Sequence, residues 1–189
     1  VMIDVEQMQD ADRKSHTTKN DGRIIINSQN SIGIDFGQYN FQEVTKVDVT
    51  LGNIIVNGKN NYGARMKNIF ALHPSNPHYA LYMKYYDLVK VTSGAGKKIT
   101  VNGEENVGMA IGKSLSASKD SNPIANISGL NIEVAGEKNI GFLRYKDYSE
   151  NNPNDMILNS TTMGTFTFGN GAKNSTLIRT DKYGIQVRK

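Results

Sequence analysis

The sequence contains no cysteine and few aromatic residues, and both shortages limit what the chain can be. None of the 189 residues is cysteine, which excludes a disulfide framework and any thiolate metal or redox site. Aromatic residues make up 8% of the chain and hydrophobic residues 38%, beside 18 glycines. A chain of this length can bury a core, but this composition does not predict a large spherical one.

Long apolar runs are also missing. No stretch of about 18 apolar residues is present to form a membrane helix, and the first ten residues, VMIDVEQMQD, lack the charged and apolar regions of a signal peptide. The chain begins without Met and stops in a stretch with strand character. We therefore expect a non-membrane fragment, 1–189, excised from a longer protein.

A concentrated positive charge is missing as well. The net charge is +4, and the 22 Lys and Arg residues are scattered among 18 Asp and Glu residues. Binding through nucleic-acid phosphates needs a clustered basic surface, so no nucleic-acid partner is expected.

The sequence does contain an internal repeat. Three copies of Ile-x-Val-x-Gly-x-x-Asn-x-Gly begin at Ile54, Ile99 and Ile132, and weaker copies begin at Ile24 and Phe166, the last with one inserted residue. The anchor positions 28, 58, 103, 136 and 171 are 30, 45, 33 and 35 residues apart. An apolar residue recurs after the second glycine position of every copy: Ile34, Ala64, Met109, Phe142 and Leu177.

The repeat predicts the fold class. Each copy alternates with the period of a strand, and its Gly and Asn stand where the chain must turn. A unit of about 30–35 residues without helical periodicity is typical of one coil of a parallel β-helix. We expect a single all-β solenoid of five or six coils, stacked about 4.8 Å apart.

The recurring polar positions predict how the coils are joined. An Asn amide can donate to the coil on one side and accept from the coil on the other, forming a ladder. We assign this ladder to Ser31, Asn61, Asn106, Asn139 and Asn174. The glycines would supply turns with positive φ; they are Gly58, Gly63, Gly103, Gly108, Gly136, Gly141 and Gly171.

Three segments interrupt the repeat. We expect loops at 10–22 and 147–155 and a longer excursion from the stack at 68–98, whose tyrosines fit a short helix and a strand equally well. Tyrosine-rich clusters are typical of binding surfaces, and they also cover small cores. The candidate ligand-binding residues are His78, Tyr79, Tyr82, Lys84, Tyr85 and Tyr86.

Catalytic and metal motifs are absent from the sequence. The acids fall in loops by ones and twos, and Glu104 and Glu105 occupy variable turn positions, where they are expected to be solvated. The histidines at 16, 73 and 78 lack the rigid spacing of a metal site. We expect no catalytic residues, no metal and no cofactor.

The segments ITVNGEENVGMAIGKSLSAS, LNIEVAGEKNIGFLRYKDYS and FTFGNGAKNSTLIRTDKYGIQVRK resemble the passenger region of the large fusobacterial autotransporter adhesins. The resemblance is clearest over 95–189 and fainter over 24–70. It implies a right-handed β-helix displayed at the outer membrane by type V secretion and used to attach to other bacteria or host cells. Its partners would be surface proteins or glycans.

Three functions therefore compete. The chain is an adhesin fragment that binds without catalysis, a spacer coil that carries adhesive parts outward, or a polysaccharide-degrading enzyme. The first is our prediction, with the fragment as a monomer at the cell surface.

Overall fold

A computed structural model describes residues 16–36, 38–40, 47–66, 68–70, 89–112, 125–145 and 164–180. These residues form strands and turns and contain no helix. Every strand pairing among them is parallel. The all-β prediction is confirmed, and the parallel stacking is that of a parallel β-helix; the handedness of the coil stays a prediction.

Three sheets run along the stack, and a separate pair of strands lies beside them. The first sheet contains β1 (His16–Lys19), β5 (Val47–Leu51), β9 (Val89–Ser93) and β12 (Ala125–Asn126). The second contains β2 (Arg23–Ile26), β6 (Asn53–Val56), β10 (Ile99–Val101), β13 (Asn131–Val134) and β15 (Thr165–Phe168). The third contains β3 (Ile32–Asp35), β7 (Tyr62–Met66), β11 (Val107–Gly112), β14 (Ile140–Tyr145) and β16 (Thr176–Thr180). The short pair is β4 (Gln38–Asn40) with β8 (Asn68–Phe70).

The strands of each sheet follow one another in chain order at intervals of one repeat. We name the resulting units coil 1 (16–36), coil 2 (47–66), coil 3 (89–112), coil 4 (125–145) and coil 5 (164–180). Each coil contributes one strand to the second sheet and one to the third. Parallel strands require a long connection, and here that connection is the rest of the coil.

The core consists of columns of equivalent apolar residues. In the second sheet, Ile54, Ile99 and Ile132 lie in register and are at most 1% exposed. A second column contains Val56, Val101 and Val134, all fully buried. The residues between them face outward, as the two-residue period of a strand dictates. Burial of each such side chain contributes about 1.5–3 kcal/mol to folding.

The apolar column of the third sheet is confirmed in four coils and wrong in the fifth. Ile34, Ala64, Met109 and Phe142 pair in sequence, but the partner of Phe142 is Ile178. Leu177 stands one residue earlier, beside Gly141.

Two of the predicted interruptions begin or end inside the stack. His16–Lys19 pairs with β5, so residues 16–19 of the predicted loop 10–22 are strand. The excursion predicted for 68–98 is likewise too long, because β8 pairs with β4, and β9 pairs with β5. The sequence did not predict these strands, because the alternation of polar and apolar residues is too weak a signal in segments this short. Residues 20–22 and 94–98 lie in bends and turns between strands. Residues 10–15 and 71–88, and the loop at 147–155, lie outside the described residues.

Candidate functional site

The repeat motif folds into one corner, between the second and third sheets, which we call the asparagine corner (27–31, 57–61, 102–106, 135–139 and 169–175). Backbone hydrogen bonds join each turn to the next; for example, the Lys59 N–H donates to the Ser28 carbonyl, and the Glu104 N–H donates to the Gly58 carbonyl. Equivalent turns of successive coils are therefore stacked directly on one another.

Two positions in the corner have left-handed backbone conformation. The first is glycine in coils 2, 3 and 4, where Gly58, Gly103 and Gly136 have φ of 74°, 72° and 72°. A Cβ there would collide with the carbonyl of the preceding coil, so the glycine supplies both conformation and space. The second position holds non-glycine residues with φ between 51° and 61°: Asn30, Asn60, Glu105, Lys138 and Asn174.

The buried ladder is present, with a different pattern of bonds from the predicted one. Asn61, Asn106 and Asn139 are fully buried. Asn106 Oδ1 accepts the Asn61 N–H at 2.8 Å, and Asn106 Nδ2 donates to the Gly58 carbonyl at 3.1 Å. Both amide atoms therefore reach the preceding coil, because the backbone N–H of the ladder residue, and not its side chain, faces the following one. Asn106 Nδ2 also donates to the Asn102 carbonyl of its own coil at 2.6 Å.

Serines end the ladder. Ser31 stands at the predicted position, but it donates its backbone N–H, and not its hydroxyl, to Asn61 Oδ1 at 2.8 Å. At the other end Ser175 Oγ accepts the Asn139 N–H at 3.1 Å, so the assignment of Asn174 is wrong. Phe168 pairs with Val134, and Lys173 pairs with Glu137. Four residues (169–172) thus replace two (135–136), and the prediction allowed for one extra residue only. Asn174 is exposed at the second left-handed position.

The second glycines of the motif do not turn the chain, which corrects that prediction. Gly63, Gly108 and Gly141 lie in strands and are buried. A Cβ on any of them would stand 2.5–2.7 Å from a carbonyl oxygen of the following coil and about 3.0 Å from a core valine. They are required for close packing. Gly171, by contrast, has a φ of 79° and open space around it.

Sequence reasoning missed a second row of amides, on the outside of the corner. Asn57 Nδ2 donates to Asn27 Oδ1 at 2.7 Å, and Asn102 Nδ2 donates to Asn57 Oδ1 at 3.0 Å. The row ends at Ala135 of coil 4 and Gly169 of coil 5. The signal was visible in the position before the anchor residue of the motif, which is Asn in the first three copies, at 27, 57 and 102.

Glu104 and Glu105 were predicted as solvated turn residues, and they are also paired. Glu104 lies 3.2 Å from Lys59 Nζ and 3.4 Å from Lys138 Nζ. The hydrogen bond and charge of Lys59 hold the pKa of Glu104 below its ordinary value, and Glu104 raises the pKa of Lys59. Because these side chains are 38–50% exposed, solvent weakens the attraction. The pairs hold three turns in register and contribute little stability.

The predicted ligand-binding residues His78, Tyr79, Tyr82, Lys84, Tyr85 and Tyr86 lie outside the described residues. Within the described ranges, no group of three or more His, Asp or Glu side chains could hold a metal ion. No helix in that part of the chain is long and apolar enough to cross a membrane.

The fold and the corner define the class of protein: an all-β chain of parallel strands whose successive coils are linked by rows of asparagine. No protein-family model, curated protein or solved structure matches the chain.

Proposed function

We propose that this chain is a segment of a surface-displayed adhesin that attaches cells to one another or to host cells by binding without catalysis. The observation that supports the proposal is the way the stack anchors its long connections. Segments 113–124 and 146–163 begin after β11 and β14, which are paired in the third sheet, and segments 71–88 and 113–124 end at β9 and β12, which are paired in the first sheet. Each connection therefore shares one pair of anchoring strands with another connection of the stack.

Multivalent attachment requires a rigid support for the segments that bind. Binding residues are commonly carried on loops that a rigid scaffold positions. The buried ladder places one hydrogen bond of 2.8–3.1 Å from a backbone N–H to a side-chain oxygen between every pair of neighbouring coils. These bonds supply that rigidity. The tyrosine-rich segment and the predicted loop 147–155 both fall in this class of connection, and we assign recognition to them.

The test is attachment of partner bacteria and host cells to surfaces coated with the protein. In one variant a short Gly/Ser linker replaces 71–88; in a matched control the same linker replaces 113–124. Circular dichroism checks that all proteins keep their strands. We expect attachment to the parent and the control, and its loss in the first variant.

The second candidate is a spacer, which the regularity of the described coils favours. A spacer would show no attachment with parent, variant or control while all three stay folded. Equal loss in both variants would contradict recognition by the tyrosine-rich segment alone and would assign it to both connections.

A further inference from the structure

The chain contains three Asn-Gly pairs, and all three lie at the asparagine corner. They are Asn57–Gly58, Asn102–Gly103 and Asn170–Gly171. The glycines have nearly the same left-handed conformation, with φ of 74°, 72° and 79°. Differences in the reactivity of the three pairs therefore come from the contacts that hold each asparagine, and not from the conformation of the glycine.

Asparagine before glycine undergoes a spontaneous reaction without a further reagent except water. The glycine nitrogen attacks Cγ of the asparagine, forming a new C–N bond. The Cγ–Nδ2 bond breaks, and ammonia leaves with the proton from the glycine nitrogen. Water then opens the resulting succinimide to aspartate or isoaspartate. The side chain must first rotate to bring Cγ to the nitrogen, so bonds that fix the amide oppose the reaction.

The three amides are held to different degrees. Asn57 is held on both sides, since Nδ2 donates to Asn27 at 2.7 Å and Oδ1 accepts from Asn102 at 3.0 Å. Asn102 is held on one side only, because Ala135 stands where a donor to its Oδ1 would lie. Asn170 is exposed, and within the described part of the chain its side chain has no hydrogen bond.

The backbone separates Asn170 from the other two asparagines. Buried ladder amides clamp the carbonyls of Asn57 and Asn102 at 2.7 and 2.6 Å. In coil 5 the ladder serine instead donates toward Gly136 and Lys173. The turn at Asn170 therefore lacks the clamp that the other two share.

We propose that Asn170 is a site of spontaneous deamidation in the folded protein and that the outer amide row protects the other two pairs, Asn57 more than Asn102. Each hydrogen bond that must break first is expected to slow the reaction by about two- to tenfold. The order of rates is therefore Asn170, then Asn102, then Asn57. This inference does not depend on the proposed function.

Loss of the protection would disturb the outer amide row. An aspartate at 102 would bring a carboxylate oxygen against Asn57 Oδ1, so two acceptors would meet where a donor met an acceptor. It would also place a further negative charge in the turn that carries Glu104 and Glu105. Asn170, which bonds to no neighbouring coil in the described residues, would change without this damage.

The experiment measures the three rates in one sample. The intact protein is incubated at neutral pH and 37 °C, digested, and the mass increase of each Asn-Gly peptide is followed by mass spectrometry. We expect the order given above in the folded protein, and convergence of the three rates in strong denaturant. Equal rates in the folded protein, or Asn57 as the fastest site, would overturn the proposal.

Two substitutions test the row itself. Asn27→Ala removes the acceptor for Asn57 Nδ2 and should raise the rate at Asn57 several-fold toward that of Asn102. Ala135→Asn supplies a donor to Asn102 Oδ1 and should lower the rate at Asn102. In both variants Asn170 is the internal control, and circular dichroism confirms folding. If neither rate moves in a folded variant, the row does not protect.

Discussion

At the scale of single residues, the ladder depends on a side chain that accepts and donates on a short stem. Asparagine offers one acceptor oxygen and two N–H donors, and Asn61, Asn106 and Asn139 use all of these groups. At one end Ser31 joins the ladder through its backbone N–H, and at the other end the Ser175 hydroxyl replaces the amide because it both accepts and donates. Ser175 Oγ accepts the Asn139 N–H and lies 3.1–3.2 Å from two carbonyl oxygens.

The ladder predicts the effect of removing one amide. Asn139→Ala deletes the acceptor of the buried Asn106 N–H and the donor to the Gly103 and Ala135 carbonyls. A buried N–H left without a partner costs about 1–3 kcal/mol, so we expect the free energy of unfolding to fall by about that amount. Urea unfolding measures the change. Asn139→Ser, which keeps one hydroxyl, should lose less.

Asn174 provides the control for this experiment. It was predicted as a ladder member, but it is exposed and has a φ of 51°. Glycine adopts this conformation freely, so Asn174→Gly should leave stability within about 0.5 kcal/mol of the parent. A larger loss than that of Asn139→Ala would contradict the ladder as described.

At the scale of strands and turns, the two glycines of the motif have different tasks. Gly63 lies inside β7, where a Cβ would stand 2.5 Å from the Gly108 carbonyl oxygen and 3.0 Å from Val56. Overpacking of this kind costs about 1–3 kcal/mol, and we expect Gly63→Ala to lower the melting temperature accordingly. Gly94→Ala is the matched control, since its nearest new contact is the flexible Lys97 side chain at 3.2 Å. Similar losses in both variants would argue against close packing as the reason for Gly63.

The turns predict a dependence on pH. The folded pKa of Glu104 is depressed, so its pairing stabilises the protein above the unfolded pKa of about 4.3 and is lost as the pH falls through the folded value. The folded pKa of Lys59 is raised from 10.5. Its contribution to stability is therefore lost as the pH rises through this raised folded pKa. Between these limits Glu104→Gln should be slightly less stable than the parent, and the difference should vanish in acid. A difference that persists at low pH would mean that Glu104 acts by packing.

The sequence predicted four of the five corners because their copies keep one length between strand and ladder residue. Coil 5 was misread because residues 169–172 extend the turn without changing the kinds of residue in it. A repeat also cannot distinguish a glycine that turns the chain from one that leaves room for a carbonyl. That difference between Gly58 and Gly63 depends on the neighbouring coil, which a single copy does not contain.

At the scale of the whole molecule, each coil bonds, within the ranges that the structure describes, only to the coils beside it. In such a stack a local defect weakens its own interfaces and leaves distant ones intact. In Asn139→Ala, hydrogen exchange should quicken at the Asn106 N–H, which Asn139 accepts. The Ser31 and Asn61 N–H groups, bonded in earlier coils, should keep their protection. A uniform rise across all coils would show that the stack opens as one cooperative unit.

The unequal lengths of the coils have a consequence for how such a chain can change over generations. Successive ladder residues are 30, 45, 33 and 36 residues apart, yet their bonds measure 2.8, 2.8, 2.8 and 3.1 Å. Fifteen additional residues in one coil thus leave the neighbouring corners undisturbed. A longer connection costs little free energy, because the entropy of closing a loop rises slowly with its length. Related chains can therefore differ in the connections between coils while they keep the same stack.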